Sequence, residues 1–250
     1  MTRCFEGHHP FCIPGYWTHS ASVAQSEWDM MARLTQWLGI EDGDRIIEMG
    51  CGGGGLTVYW GRRFPRSSIV AVTQTPAQTA HVMQRCQDAG LPNITVVQGP
   101  HTDWYDGHLA DRLLLHPTQG YPAHDPATYH ALRPLIRSGG TLVAHAITHP
   151  THFYSIEDPQ VAPVLGYWIP QGVIAPHPSL MVPHDGYEWS QTERWGGHHI
   201  RCSARAWQQI AQTQDRVVSH HLLPSLWVLD AIGTNTTHSF GISIGRWQAI

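Results

Sequence analysis

Hydrophobic positions along this chain follow two alternating rhythms. Over residues 22–38 (SVAQSEWDMMARLTQWL) they fall close to a helical period, and Gly39 follows as a stop. The turn EDGD then leads to RIIEM at residues 45–49, a short apolar strand that runs into a glycine cluster. Residues 56–63 read as a helix and 68–73 (SIVAVT) as a second strand. Residues 76–89 read as a helix with Pro76 in its first turn. A third strand is expected at 94–97 and a fourth at 111–115 (DRLLL). Next come a helix over 125–136, ended by Ser-Gly-Gly, and a fifth strand at 141–147 (TLVAHAI).

Strands that alternate with helices predict an α/β fold with a parallel sheet and right-handed crossovers. From about residue 149 to 199 the rhythm gives way to Pro, Gly, His and aromatic residues, which reads as an insertion over the sheet. Residues 204–214 predict a helix, and the strand-like end (HSFGISIGRWQAI) predicts late antiparallel strands closing the same sheet. The reading is one domain: 1–40 a cap and helix, 41–148 the core, 149–203 the insertion, 204–250 the closing helix and strands.

Composition narrows the partners. Only 14% of the 250 residues are charged, the net charge is −4, and all 15 basic residues are Arg, scattered along the chain. Nucleic-acid binding needs a basic stripe to displace phosphate counterions, and a membrane-surface helix needs a basic face. Neither pattern is present, so a small-molecule partner is expected. The five cysteines form no C-x-x-C pair and read as reduced thiols in a cytoplasmic protein. No signal-peptide core and no membrane-spanning apolar run is seen.

The strongest local pattern is EMGCGGGG at residues 48–55, between a strand and a helix. Gly50, Gly52 and Gly54 keep side chains out of a tight turn at the carboxyl edge of the sheet, where a cofactor can approach the backbone. Their spacing differs from G-x-G-x-x-G, so a pyrophosphate is not the expected guest. After the second strand, where nucleoside cofactors usually meet an acid, stand Thr73, Gln74 and Thr75. The Gln74 amide can donate to and accept from ribose hydroxyls. The other reading of the glycines is a tight turn with no ligand.

Residues 45–99 resemble the cyclopropane-fatty-acid synthase and coclaurine N-methyltransferase family. The family segment LDIGCGWGGL is matched by IIEMGCGGGGL, and its next pattern by Val72, Thr73, Gln78, Gln84, Cys86, Leu91 and Asn93. The family element YSCAYW is similar to Phe11, Cys12, Tyr16 and Trp17 with an insertion, and LLHTI to residues 143–147 with His145. The lid motif KYIFPGG-LPS resembles residues 166–176, with Trp168 and Pro170. ERW---G-HY--T---W resembles Glu193, Arg194, Trp195, His198, His199 and Trp207.

The resemblance implies a Rossmann-like class I methyltransferase fold: a mostly parallel seven-stranded sheet, helices on both faces and an acceptor-side lid. It implies S-adenosylmethionine as cofactor, contacted by Glu48, Gly50, Gly52 and Gly54. Thr73, Gln74 and Gln78 would lie along ribose and adenine, with His101 and Thr102 beyond the third strand. Tyr16 and Trp17 would cover the methionine end, where a π-face attracts the sulfonium cation.

Departures from the family bear on the reaction. Aligned from Asp111, the family segment DRIYSIEMFEHM loses both carboxylates, to Pro117 and Gly120, and its histidine becomes Tyr121. Cys12 and His145 match two residues of the family's bicarbonate site, whose glutamate is gone, which argues against a bicarbonate base. Relatives carry further N-terminal helices around the acceptor, so a more open pocket, or one completed by a second subunit in a homodimer, is expected.

Nineteen histidines supply imidazoles that titrate near neutrality. His116, at the carboxyl end of the fourth strand, is the first candidate base. His145 follows from the bicarbonate-site match, Tyr121 would orient the acceptor, and His149 would line the pocket. His152, Tyr154, Trp168 and Trp195 are assigned with Cys12 to the acceptor. Each of these residues also has a plain reading as surface or core. Adjacent histidine pairs point apart, so no metal is expected. The expected chemistry is methyl transfer to a nitrogen or electron-rich carbon of a small aromatic or apolar secondary metabolite. A cyclase or rearrangement catalyst that retains the cofactor, and a non-catalytic cofactor-binding protein, are the competing readings.

Overall fold

The computed structural model describes residues 15–19, 22–99, 105–116, 122–149, 174–176, 183–213 and 241–250. Helix α1 (Val23–Leu38) starts where the Ser22 hydroxyl accepts from the Gln25 amide, and ends at Gly39 in the left-handed conformation. Its stripe Met30, Met31, Leu34 and Leu38 is buried. Strand β1 (Arg45–Met49) passes through the glycine loop into α2 (Gly55–Arg63). Strand β2 (Ser68–Thr73) leads to α3 (Pro76–Asp88), opened by a capping box between Thr75 and Gln78.

Strands β3 (Ile94–Gln98), β4 (Ala110–Leu115) and β5 (Ile136–His149) complete the parallel part of the sheet. Short β6 (Ile174–Pro176) pairs with the end of β5. Beyond β5, strand β8 (Gly241–Ala249) runs antiparallel, and β7 (Tyr187–Gly196) pairs with β8 at the edge. The main order is β3-β2-β1-β4-β5-β8-β7. The chain winds outward from β1 to β3 and then crosses back to β4. The β1–β4 junction is therefore a topological switch point, where open α/β sheets leave a crevice at the carboxyl ends of their strands.

The strands are apolar on both faces because both are covered. Ile46, Leu114, Val143, Ile242 and Ile244 pack with α1 and α2, whereas Ile47, Leu113, Leu115, Leu142 and Trp247 form the opposite layer. Trp60 of α2 is fully buried, and its indole N–H donates to Thr35 Oγ1 at 2.8 Å. A side chain of that size removes roughly 200 Å² from water, about 5 kcal/mol at ~25 cal/mol per Å².

Four boundaries differ from the sequence expectation. The helix expected over 125–136 is α4 (Pro126–Leu132) plus one 3-10 turn, Arg133–Leu135. Pro134 has no N–H to continue the α ladder. The Ser-Gly-Gly expected to end that helix lies inside β5, in a bulge between the Ala110–Ile136 and Arg112–Thr141 pairs, with Gly139 at φ 76°. Tyr187–Gly196, expected within the insertion, is an edge strand, and the helix expected at 204–214 is α5 (His198–Thr213).

Candidate active site

Alternation along three neighbouring strands brings three polar side chains to one face. Glu48 has the parity of Ile46, His116 that of Leu114, and His145 that of Val143, so all three point to the α1–α2 side. The His116 amide donates to Met49 O at 2.9 Å, extending the β1–β4 ladder to the start of the glycine loop. His145 follows Ala144, which pairs with Leu115.

Glu48 is 1% exposed. Its Oε2 accepts from the Thr57 hydroxyl at 2.6 Å, and its Oε1 lies 3.7 Å from His116 Nε2. Burial pushes the Glu48 carboxyl up to about 7, against the pull of the Thr57 hydrogen bond. Burial also lowers the His116 imidazole to about 4 and, with His116 beside it, that of His145 to about 3. The two rings meet edge to face with centroids 5.7 Å apart. Among the described residues, His116 Nδ1 and both His145 nitrogens have no hydrogen-bond partner. Such orphans cost about 1–3 kcal/mol per group, which is the mark of a polar site that a ligand completes. His149, at the end of β5, is also buried.

The glycine loop leaves its backbone open beside these groups. A Cβ on Gly52 (φ +56°) would meet nothing within 4 Å, so a ligand can approach the main chain there. At Gly54 (φ +73°) a Cβ would lie 2.7 Å from Val82 Cγ1, so glycine is required for α2 to pack on α3.

Across the crevice, Tyr16 and Trp17 form a strap fastened to α5. Ser203 Oγ accepts from the Gly15 amide and the Trp17 indole N–H, both at 2.7 Å, and His199 Nδ1 accepts from the Trp17 amide at 2.9 Å. Tyr16 stacks on His199 at 5.2 Å and meets Trp195 edge to face at 4.8 Å. The Trp195 ring lies 6.4 Å from that of His145. Burial lowers the His199 imidazole to about 4, which keeps Nδ1 free to accept. The ion pair between Arg33 and Glu193 ties α1 to β7 behind the strap.

The sequence pattern of the mycolic acid cyclopropane synthetase family matches residues 14–222. The chain belongs to this family. An (S)-tetrahydroprotoberberine N-methyltransferase of Eschscholzia californica is 22% identical over 215 residues, 84% of this chain and 61% of the relative. The chain thus spans about three-fifths of that relative's length. Among solved structures, a coclaurine N-methyltransferase bound to N-methylheliamine and S-adenosylhomocysteine superposes with a TM-score of 0.80 at 17% identity. That match covers 99% of this chain and 78% of the other. The cyclopropane synthase MmaA2 of Mycobacterium tuberculosis superposes with a TM-score of 0.79 at 13% identity, covering 99% and 93%. These likenesses bear out the class I methyltransferase fold.

Within this family fold, the residues expected at the site divide into groups. Glu48, Gly50, Gly52, Gly54, His116 and His145 converge on the β1–β4–β5 edge; Trp195 reaches His145, Tyr16 packs on Trp195, and Trp17 is bonded to α5. Gln74 follows β2 and is exposed. The Thr73 hydroxyl is engaged with Thr79 Oγ1 at 2.6 Å, and Gln78 Oε1 accepts from the Gln74 and Thr75 amides at 3.2 Å. Both side chains therefore serve the β2–α3 turn. Cys12, His101, Thr102, Tyr121, His152, Tyr154 and Trp168 lie outside the described residues. Thr57, His199 and Ser203 were not anticipated; they act on Glu48 and on the strap from other elements. No described helix is long and apolar enough to cross a membrane.

Proposed function

We propose that this chain is an S-adenosylmethionine-dependent methyltransferase that acts on a nitrogen or electron-rich carbon of a small aromatic or apolar acceptor. The cofactor supplies a methyl group already activated on a sulfonium. The observation that carries the reading is the buried Glu48–His116–His145 group at the switch point, beside an open glycine loop. Family membership and relatives named as N-methyltransferases support the same class.

Gly50 and Gly52 admit the cofactor to the backbone, Gln74 offers an amide to ribose, and Tyr16 and Trp17 close the methionine end with π-faces. The protein mostly aligns the reactants and excludes water. His116, neutral at physiological pH, is the group that takes the proton an acceptor N–H releases. The Trp195 ring and the uncharged His145 ring form an aromatic wall without a cation, which favours flat acceptors over phosphorylated ones.

The test is incubation with S-adenosylmethionine and a panel of cyclic amines, indoles and phenols, reading S-adenosylhomocysteine release and methylated product. Release coupled to N- or C-methylation is expected. Acceptor turnover without S-adenosylhomocysteine would sink the reading in favour of a cofactor-retaining cyclase. Cofactor binding with no turnover of any acceptor would leave only a binding protein.

A further inference from the structure

The outer side of α1, α2 and α3 carries a cavity whose lining includes none of Glu48, His116 and His145. It encloses about 520 Å³, room for a small organic ligand. Along α2 its lining residues are Gly55, Val58, Tyr59, Arg62 and Arg63, one helical stripe beside the core stripe of Leu56 and Trp60. The cavity thus runs along the flank of the helices, and its Gly55 and Arg85 end adjoins the glycine loop.

Its chemistry is unusual for this chain, which has no lysine and scattered arginines. Arg62, Arg63 and Arg85 all line it, and none of the three takes part in an ion pair among the described residues. Arg85 is fixed in place because it donates to the Gly53 carbonyl. Glu27 lines the same cavity, 2% exposed, and among the described residues neither of its carboxyl oxygens has a hydrogen-bond partner. Burial pushes that carboxyl up to about 7. Trp28 stands 52% exposed at the rim, its ring edge-to-face with Tyr59 at 5.4 Å.

Unpaired guanidinium groups call for an anion, an exposed aromatic wall calls for a flat apolar body, and an orphaned carboxyl calls for a hydrogen-bonding partner. We propose that this cavity binds a small aromatic carboxylate that also carries a ring N–H or O–H. The ligand carboxylate pairs with Arg62 and Arg63, the ring lies on Trp28 and Tyr59, and the ring donor reaches Glu27. Arginine suits this role because its planar fork binds carboxylate through two parallel bonds. The proposal does not rest on the methyl-transfer reading.

The experiment is calorimetric titration of the full chain with three probes. Indole-3-acetate has all three features, 1-naphthaleneacetate lacks the N–H, and indole lacks the carboxylate. Indole-3-acetate is expected to bind one to one, and each of the other two about tenfold more weakly, one hydrogen bond or ion pair each. The Arg62→Ala, Arg63→Ala double variant should lose about tenfold or more for both acids. Glu27→Leu should bring indole-3-acetate down to the level of 1-naphthaleneacetate and leave the latter unchanged. Saturating S-adenosylhomocysteine should leave probe binding intact. The variants change a surface and one unpartnered acid, and far-UV circular dichroism checks that they fold. Three results would overturn the proposal: no binding of indole-3-acetate by folded protein, binding insensitive to the variants, or displacement by S-adenosylhomocysteine. Failure of S-adenosylhomocysteine to bind at all would count against the methyltransferase reading alone.

Discussion

Removing the Ser203 hydroxyl should loosen the Tyr16–Trp17 strap while leaving the sheet intact. Ser203 Oγ is the acceptor for two donors, the Gly15 amide and the Trp17 indole N–H. In Ser203→Ala the buried Gly15 amide is left unsatisfied, at a cost of about 1–3 kcal/mol. The Trp17 indole is only half-buried, so water replaces much of its lost bond and the further cost is about 0.5–1 kcal/mol. The His199 bond to the Trp17 amide and the Tyr16–His199 stacking remain, so the strap keeps one attachment. The total of about 1.5–4 kcal/mol corresponds to a ~10- to 1,000-fold larger open population. Amide hydrogen exchange at Gly15, Tyr16 and Trp17 reads that population directly, with the β1 and β4 amides as internal controls. Exchange should accelerate by that factor in the strap and stay unchanged in the strands. Strap amides exchanging at the parental rate would refute the clamp. Faster exchange with an undiminished S-adenosylhomocysteine affinity would show that the strap does not cover the cofactor.

Other substitutions probe the crevice. Gly52→Asp puts a charged side chain where the loop fronts open space, so S-adenosylhomocysteine binding measured by calorimetry should vanish while the far-UV spectrum is kept. His116→Ala should lower kcat by about 10²- to 10⁴-fold on an acceptor that must lose a proton, with cofactor affinity retained; an unchanged kcat would remove His116 from proton transfer. The Glu48 carboxyl is raised from 4.5 to about 7, so the folded state binds more protons than the unfolded chain over that interval. Its contribution is therefore present below about pH 4.5 and lost as pH rises through 7. Glu48→Gln should accordingly gain Tm relative to the parent on passing from acid to mildly alkaline buffer. Parallel Tm curves would contradict the assigned shift.

What the sequence made legible is what is encoded locally. The stripe of α1 with its Gly39 stop and the apolar β1 and β2 carry a single dominant period each. The glycine loop is legible for the same reason, since positive φ is a property of single residues. Edge strand β7 was hidden because it pairs on one side only: Glu188 to Gln191 are exposed, and no alternation marks them. Thr75-x-x-Gln78 is a capping-box signature, so the engagement of Gln78 with its own turn was open to reading. The strap clamp was not, because its partners stand 182 to 188 residues apart. The grouping of Glu48, His116 and His145 lies between these cases. Each parity is local, but their meeting depends on the order β1-β4-β5.

That grouping also answers the loss of the family carboxylates at Pro117 and Gly120. Glu48 sits on β1, is held by Thr57 through one oxygen, and presents the other to His116 at 3.7 Å, longer than a hydrogen bond. With His116 lowered to about 4 and Glu48 raised to about 7, near neutrality the imidazole is uncharged and the carboxyl is partly protonated. A cation arriving beside Glu48 favours its ionised form, and an ionised carboxylate at that distance raises the basicity of the imidazole. His116 would then become a stronger base only in the complex with the cationic cofactor. NMR titration of the His116 ring tests this. Its pKa should rise when Glu48 is ionised by S-adenosylmethionine and less with S-adenosylhomocysteine, which lacks the sulfonium charge. In Glu48→Gln the two ligands should act alike. An equal response to both ligands in the parent protein would separate His116 from Glu48 and leave the imidazole without a carboxylate partner.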